Sequence, residues 1–257
     1  MLTNSEAKLI HALKSRSGRE KQHSFVVEGV RAVEELMASG IDLKFVVVAP
    51  SLEDSRRGSA LIDALEANAL VRRVREAELK DLSDTETPQG VIAVAHTPRV
   101  TLKQIELHER ALVLIIDAVQ DPGNLGTLIR CADAFAAAAV VALPGTVDYW
   151  NPKVVRGAAG SAFRVPLISD DNAAVWTWLS VNSFTVCGTA MSGANVRAAR
   201  LGPRVALAVG NEGSGLRKET RAQVTDIISI PMPGRAESLN VAVAAGILLY
   251  ELSRADG

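Results

Sequence analysis

The segment LVLIID (112–117) is the feature that most restricts how this chain can fold. It is almost purely apolar, which is typical of a strand buried on both faces of a parallel sheet. Further apolar runs predict strands at 139–143, 164–168, 184–189, 205–209 and 227–230. Helical patterns alternate with them at 125–136, 152–162, 172–180, 217–223 and 239–253. The alternation predicts an α/β fold with a mainly parallel sheet covered by helices.

The first hundred residues form a separate, smaller α/β pattern. Short β-branched runs predict strands at 25–29, 45–49, 71–74 and 91–95. Segments near 4–16, 31–39, 59–68 and 76–83 predict helices. Because Thr97-Pro98 and a polar stretch follow the last strand, we predict a domain over 1–98, a linker over 99–110 and a larger domain over 111–257.

Composition limits the function classes. The 257 residues carry a formal net charge of −1 with 48% hydrophobic and 22% charged residues, as in an ordinary globular protein. We expect no signal peptide and no membrane span. Cys131 and Cys187 form no CxxC pair, so we expect a cytoplasmic setting and no metal. The net charge argues against a strongly basic nucleic-acid binder, although residues 1–31 are locally positive.

The first motif is DPGNLGTLIRCADAF (121–135). Pro122 and Gly123 predict a turn after the strand, and Asn124 is the predicted N-cap of the following helix. Gly126 permits close backbone approach, and Arg130 lies off the apolar face. Taken alone, the motif is explained slightly better by a capped helix with an exposed arginine than by a site.

The second motif is LAVGNEGSGL (207–216). It lacks the G-x-G-x-x-G and G-K-[ST] patterns of dinucleotide and phosphate loops. Glu212 nevertheless stands inside a glycine cluster at the carboxyl end of a predicted strand, where α/β sheets bind ligands. We therefore favour a ligand site over a plain loop.

The third motif is ISIPMPGRAESLNVAVAAGILLYEL (228–252). The strand ends at Pro231, and Glu237, Ser238 and Asn240 gather before a very apolar helix. Ser238 alone could be the N-cap of that helix. Three polar side chains are more than capping requires, so the cluster indicates a site.

The three motifs together resemble one family. N-x-G-x-x-x-R, G-N-E-G-x-G and I-P-M-x-G-x-x-E-S-L-N-V-A occur in that order, as in the SpoU/TrmH family of RNA ribose methyltransferases of the SPOUT superfamily. The resemblance covers about 110–253, including NPKVVRGAAGSAFRVPL (151–167). More weakly, FVVEGVRAVEELM (25–37) and TPQGVIAV (87–94) resemble the family's RNA substrate-binding domain.

The resemblance implies a knotted, trefoil C-terminal fold and a homodimer whose active sites are completed at the interface. It also implies S-adenosylmethionine as cofactor, held largely by backbone groups. The implied cofactor-binding residues are Thr189, Ala190, Gly210, Asn211, Ile230, Met232 and Leu239.

The acceptor implied by the resemblance is a ribose 2′-hydroxyl, with Arg130 as the base that acts on it. Because guanidinium stays protonated, our hypothesis is instead that Arg130 stabilises the developing alkoxide and binds the adjacent phosphate, while the proton passes to a nearby group or to water. The remaining members of the implied catalytic set, which orient Arg130 and the ribose, are Asn124, Glu212, Ser238 and Asn240. The sulfonium donor is already activated, so no metal is required.

Five basic residues are candidate RNA contacts: Arg19, Lys21, Arg31, Lys153 and Arg156. Solvated surface charge explains each one equally well. We favour rRNA over tRNA as substrate, with a housekeeping and an antibiotic-resistance role both open. The alternatives are a non-catalytic RNA-binding protein with the same fold, methylation of a base, and a nicotinamide-dependent oxidoreductase, against which the missing G-x-G-x-x-G argues.

Overall fold

The computed structural model describes residues 1–68 and 71–254. The chain forms two compact units within it. The first comprises Met1–Pro98 together with Asp148–Phe163, and the second comprises Arg99–Val147 and the chain from Arg164 onward. None of the helices in the described ranges is long and apolar enough to cross a membrane.

The first unit is built on a four-stranded sheet with the strand order β1-β4-β2-β3. The strands are β1 (Ser24–Glu28), β2 (Leu43–Val48), β3 (Val71–Arg73) and β4 (Val91–His96). β4 runs antiparallel to β1 and β2, whereas β2 and β3 are parallel. The helices before β4 are α1 (Asn4–Leu13), α2 (Arg16–Gln22), α3 (Val30–Ala38), α4 (Arg56–Asn68) and α5 (Glu76–Leu82).

The first predicted helix of this unit ends earlier than predicted, and a second helix follows it. Thr3 caps α1 through a reciprocal pair with Glu6, and the Ser15 side chain accepts from the backbone N–H of Gly18 to begin α2. The helix predicted near 4–16 therefore ends early, because Ser15 satisfies a new set of N-terminal amides.

The second unit contains a six-stranded sheet in which all the strands are parallel, in the order β10-β8-β9-β5-β6-β7. The strands are β5 (Ala111–Ile116), β6 (Ala139–Ala142), β7 (Leu167–Ser169), β8 (Thr185–Asn195), β9 (Arg204–Val209) and β10 (Asp226–Ser229). The helices of this unit are α6 (Pro122–Ala134), α8 (Asn172–Val181), α9 (Lys218–Arg221) and α10 (Val241–Ser253). The parallel sheet confirms the predicted fold class, while the trefoil knot stays a prediction from the resemblance.

The central strand explains why the sequence is so apolar there. Val113, Leu114, Ile115 and Ile116 of β5 are fully buried, so both faces of this strand are covered. Strands β6 and β7 continue the sheet on one side of β5, and β9, β8 and β10 continue it on the other. The order of the chain thus reverses between β5 and β9, and ligands of α/β sheets bind at such a switch point, beyond the carboxyl ends of the strands.

The segment Asp148–Phe163 belongs to the first unit although its sequence neighbours belong to the second. It contains α7 (Pro152–Ala158), which packs against β1. The ring of Phe25, which is fully buried, lies 4.3 Å from the ring of Trp150 and 6.2 Å from that of Phe163, centroid to centroid. These aromatic side chains are therefore core residues of the first unit.

Candidate active site

The helix of the first motif begins differently from its prediction. Asp121 is the N-cap of α6, its carboxylate accepts from the backbone N–H of Asn124 at 2.7 Å, and Pro122 occupies the first turn. The prediction of Asn124 as the N-cap was therefore wrong. Proline has no N–H to satisfy and suits the first helical position, which shifts the cap one residue before it. The Asn124 side chain is thereby free to face other groups.

A chain of hydrogen bonds joins the three motifs. Asn240, not Ser238, is the N-cap of α10, and its Oδ1 accepts from the backbone N–H groups of Ala242 and Val243 at 2.9 and 3.3 Å. Its Nδ2 must then point away from the helix, and it donates to Asn124 Oδ1 at 2.9 Å. Asn124 Nδ2 in turn donates to Glu212 Oε1 at 3.0 Å. The helix cap thus sets the direction of every bond in the chain.

Glu212 is the acceptor at the end of this chain. Its Oε1 also receives the backbone N–H of Asp121 at 3.4 Å, and its Oε2 receives Asn211 Nδ2 at 3.2 Å. Partial burial opposes ionisation of Glu212, but the hydrogen bonds from Asn124 and from backbone N–H groups outweigh it and lower the pKa of Glu212. The carboxylate is therefore charged at neutral pH.

The loop that carries Glu212 is fixed at both ends. Asn211 Nδ2 donates to the carbonyl of Ala118 at 3.1 Å, and a Cβ on Gly210 would lie 2.2 Å from the backbone carbon of Gly215, so only glycine fits there. At the other end the fully buried carboxylate of Asp117 accepts from the Arg217 backbone N–H at 2.8 Å and from Arg217 Nε at 2.5 Å. These contacts tie the loop after β9 to the end of β5.

The sequence motifs do not single out Asp117 and Arg217. The available signal was the single charge that ends the apolar run LVLIID. A buried carboxylate needs a partner, but the sequence does not show which of the many arginines supplies it.

A cavity of about 170 Å³ opens beside these loops. Its lining contains five of the seven residues implied for the cofactor, together with Ser238 from the implied catalytic set. The lining residues are Thr189, Ala190, Ile228, Ser229, Ile230, Met232, Ser238, Leu239, Ala244 and Leu248. Gly210 and Asn211 stand on the neighbouring loop after β9, and neither is among the described residues that line the cavity.

An irregularity in β8 shapes one wall of this cavity. Gly188 pairs with Ile227 of β10, but the next residue of β10, Ile228, pairs with Ala194. Residues 189–193 therefore have no partner in the β8–β10 register, and the β8–β9 register ends at Gly188. This break in pairing releases backbone groups of β8 from the ladder beside the cavity.

The donor set of the cavity fits S-adenosylmethionine. Apolar side chains such as Ile230, Leu239 and Leu248 provide surfaces for an adenine. The backbone N–H groups of Ile230 and Met232 donate to no other group in the described part of the chain. Unpaired amides next to apolar walls suit a nucleoside held mainly by backbone groups.

Arg130 lies apart from the hydrogen-bond chain. It is exposed and forms no hydrogen bond or ion pair with any described residue. It follows Asn124 by six positions on α6, which is about 9 Å along a helix axis. The structure thus brings Asn124, Glu212 and Asn240 together and leaves the Arg130 guanidinium available to a partner from outside.

The basic residues predicted to contact RNA all lie in the first unit, including Lys153 and Arg156. Lys21, Arg31 and Lys153 are exposed, and Arg156 pairs with Asp84 at 3.2 Å.

Arg19 requires a correction. It is only 4% exposed, its Nε donates to Asp148 Oδ2 at 2.6 Å, and its Nη1 donates to the carbonyls of Leu13 and Lys14 at 2.8 and 3.1 Å. These bonds hold its guanidinium inside the unit, so Arg19 is a structural residue and not a phosphate contact.

Two family models match the chain. The SpoU rRNA Methylase family matches residues 111–250, and the MRM3-like substrate binding domain matches residues 4–93. The 23S rRNA (guanosine(2553)-2'-O)-methyltransferase RlmP of Bacillus subtilis is 37% identical over 97% of this chain and 96% of its own length. The 23S rRNA (guanosine-2'-O-)-methyltransferase RlmB of Salmonella typhimurium is 35% identical over 90% of this chain and 98% of its own.

Solved structures agree with these matches. An AdoMet-bound rRNA methyltransferase from Sinorhizobium meliloti superposes with a TM-score of 0.85 at 32% identity, covering 99% of this chain and 96% of its own. The SpoU methyltransferase AviRb from Streptomyces viridochromogenes, in complex with AdoMet, gives 0.88 at 28% identity over 98% of both chains. Fold, site and relatives define an S-adenosylmethionine-dependent RNA methyltransferase. The chain belongs to the SpoU rRNA methylase family, which confirms the predicted family, enzyme class and cofactor.

Proposed function

We propose that this protein transfers a methyl group from S-adenosylmethionine to a ribose 2′-hydroxyl of ribosomal RNA. The observation that carries the proposal is the directed chain from Asn240 through Asn124 to the Glu212 carboxylate, beside a cavity lined by Thr189, Ile230 and other residues implied for the cofactor. A non-catalytic RNA-binding protein would have no need for such a chain. The assignment to ribose follows the relatives, whose names specify 2′-O-methylation.

The share of the chain that each relative matches favours ribosomal RNA over tRNA as the substrate. The relatives that match nearly the whole chain are named for 23S rRNA. A solved structure described for the 2-OH methylation of C/U34 on tRNA matches only 57% of this chain, with a TM-score of 0.51. The relatives that match the substrate-binding part of the chain as well as the methyltransferase part are thus those named for 23S rRNA. We also propose a cytoplasmic setting, which agrees with a ribosomal RNA substrate.

The bound cofactor supplies a methyl group that its sulfonium has already activated, so the chain's own residues have to position the acceptor and manage its charge. Arg130 is the cation we assign to the ribose oxygen and the adjacent phosphate, because it is exposed and has no partner within the described residues. Glu212, held by Asn124, lies at the carboxyl end of β9 and orients the ribose. The hydroxyl loses its proton to a nearby group or to water as the bond from its oxygen to the methyl group forms, and S-adenosylhomocysteine is the leaving group.

A homodimer forms part of the proposal. Large apolar side chains are exposed along one side of α10 and the turn before it: Leu239, Val243, Ile247 and Tyr250. Their spacing of three or four residues places them on one helix face, and contiguous exposed apolar surface marks an interaction site. A second copy covering this face would bring its own groups close to the cavity, because Leu239 belongs to both the face and the cavity lining.

The test of the reaction is methyl transfer from radiolabelled S-adenosylmethionine to a 23S rRNA transcript, with a tRNA mixture in parallel. We expect 2′-O-methylated nucleoside in the rRNA after digestion and mass spectrometry. A base-methylated nucleoside, or methylation confined to tRNA, would contradict the proposal. Calorimetric titration with S-adenosylmethionine separates the non-catalytic alternative, for which no binding heat is expected.

The test of the dimer is sedimentation of Ile247→Glu against Val181→Glu. Val181 is exposed at the end of α8 in the same unit and is not one of the residues of the apolar face of α10, so its variant is the matched control. We expect the Ile247 variant to sediment as a monomer with reduced activity and the Val181 variant to remain dimeric. A wild-type monomer at micromolar concentration with full activity would overturn this part of the proposal.

A further inference from the structure

The first unit contains a second pocket, far larger than the cavity of the active site. Its volume is about 370 Å³, which falls in the range of roughly 300–1,000 Å³ typical of small-molecule sites. The pocket opens where α3 begins, next to the segments that follow β2 and precede β4. It is lined by Val30, Arg31, Ser51, Leu52, Ser55, Arg57, Pro88 and Gln89.

The walls of this pocket are held in place by bonds within the unit. Gly90 has a φ of +78°, and a Cβ there would lie 2.6 Å from the backbone nitrogen of Leu52, so the 88–90 segment packs directly on Leu52. Gln89 Oε1 accepts from the backbone N–H of Val30 at 3.0 Å. The backbone N–H and Oγ of Ser51 donate to Glu76 at 2.6 and 3.0 Å. The pocket is therefore preformed.

The polar groups left over in this pocket are hydrogen-bond donors. Arg57 is paired with Glu34, and Ser55 Oγ accepts from the backbone N–H of Gly58. The Arg31 guanidinium and the Gln89 Nε2 have no acceptor among the described residues. None of the residues that line the pocket carries a carboxylate. The pocket thus favours a ligand that is anionic and rich in acceptors.

We propose that this pocket binds one unpaired nucleotide of the RNA substrate, distinct from the nucleotide that is methylated. The inference rests on the proposed function for the identity of the RNA. Val30 and Pro88 provide apolar contact for a base, Gln89 Nε2 donates to an acceptor on the base edge, and Arg31 pairs with its phosphate. Proteins read RNA sequence mainly from unpaired bases turned out of the stack, and a preformed polar pocket suits that mode.

The test compares three single substitutions in the full-length protein. Gln89→Glu keeps an oxygen for the Val30 N–H but removes the free donor, and Arg31→Gln removes the free cation. Lys8→Gln is the charge control, because Lys8 is exposed on α1 of the same unit and lies outside the pocket. The affinity for a 23S rRNA transcript is measured by filter binding in the presence of S-adenosylhomocysteine, and KM for RNA and kcat by methyl transfer.

We expect Gln89→Glu and Arg31→Gln to raise the RNA Kd and KM by about tenfold each, with kcat at saturating RNA unchanged, and Lys8→Gln to change both by less than about twofold. Ultraviolet crosslinking of the wild type should also attach a nucleotide to the peptide that contains Gln89. Equal small effects for all three variants, with no crosslink at that peptide, would overturn the pocket. Absence of methyl transfer by the wild type would instead contradict the proposed function, since binding and crosslinking are read without catalysis.

Discussion

On one side of the active site, the acceptor side, side chains from the three motifs hold one another through hydrogen bonds whose direction a helix cap sets, from Asn240 to Asn124 to Glu212. On the other side, the cofactor side, the cavity has apolar walls and unpaired backbone groups. The irregular strand β8 and the turn after β10 shape it. The acceptor side depends on the hydrogen-bond donors and acceptors of its side chains, whereas the cofactor side depends on the volume and shape of the cavity. A substitution that preserves side-chain volume but removes a hydrogen-bond donor should therefore impair only the acceptor side.

Arg130→Lys is the most severe test of the acceptor side. The variant keeps the positive charge but loses the planar fork that can contact a ribose oxygen and a phosphate together. We expect kcat to fall on the order of 1,000-fold, as when a donor to a developing oxyanion is lost, with KM for RNA nearly unchanged. Arg221→Lys, on the exposed side of α9 in the same unit, is the matched control. Near-normal turnover by Arg130→Lys would remove the need for a planar fork.

Asn240→Asp tests the direction of the hydrogen-bond chain. Aspartate still accepts from the backbone N–H groups of Ala242 and Val243, so α10 keeps its cap, but it has no N–H for Asn124. We expect a fall in kcat on the order of 100-fold, typical of a misplaced reacting group, with little change in Tm or in KM for S-adenosylmethionine.

The control for that variant is Asn151→Asp, which changes the same residue type at the N-cap of α7 in the first unit. It should leave both kcat and Tm close to the wild type. If Asn240→Asp lowered Tm and raised both KM values while kcat held, Asn240 would be a structural cap and not a positioning residue.

The two sides also differ in how far the sequence predicts them. The motif residues Asn124, Glu212 and Asn240 were predicted as a group, and the structure joins them. Their individual roles at helix ends were not, because Pro122 moves the cap of α6 to Asp121 and the third motif offers several polar candidates for one cap. Local pattern finds a helix start within a few residues but does not choose among adjacent capping groups.

The remaining gaps have long-range causes. Apolar periodicity predicts β8 but not the register jump opposite Ile227 and Ile228, since the jump depends on a partner strand. The same limit hid the packing of Trp150 on Phe25, which assigns residues 148–163 to the first unit. It also hid the burial of Arg19, whose partner Asp148 is distant in sequence. Strand and helix positions follow from local pattern, whereas these pairings do not.

Ala244→Leu tests the cofactor side. Ala244 lines the cavity from α10, and leucine has a similar helix propensity, so the change fills space without breaking the helix. We expect the Kd for S-adenosylmethionine to rise about tenfold by calorimetry, in line with 1–2 kcal/mol of lost fit, while KM for RNA stays constant. Ala222→Leu, exposed and outside the cavity, is the control. An unchanged Kd for S-adenosylmethionine would mean that the cofactor binds outside this cavity.

Glu212→Gln should have a small effect on stability that depends on pH in a characteristic way. Glutamine can still accept from Asn124, but its amide would face Asn211 Nδ2, a donor against a donor. Hydrogen bonds lower the folded-state pKa of Glu212 below its usual 4.5. The stability that they contribute is therefore fully present above pH 4.5 and is lost as pH falls through the lowered value. We expect the variant to melt slightly below the wild type at pH 7, and the difference in Tm to shrink toward pH 4. A difference that grew on acidification would mean that Glu212 is protonated in the folded protein, and the chain from Asn240 would then have no anionic end.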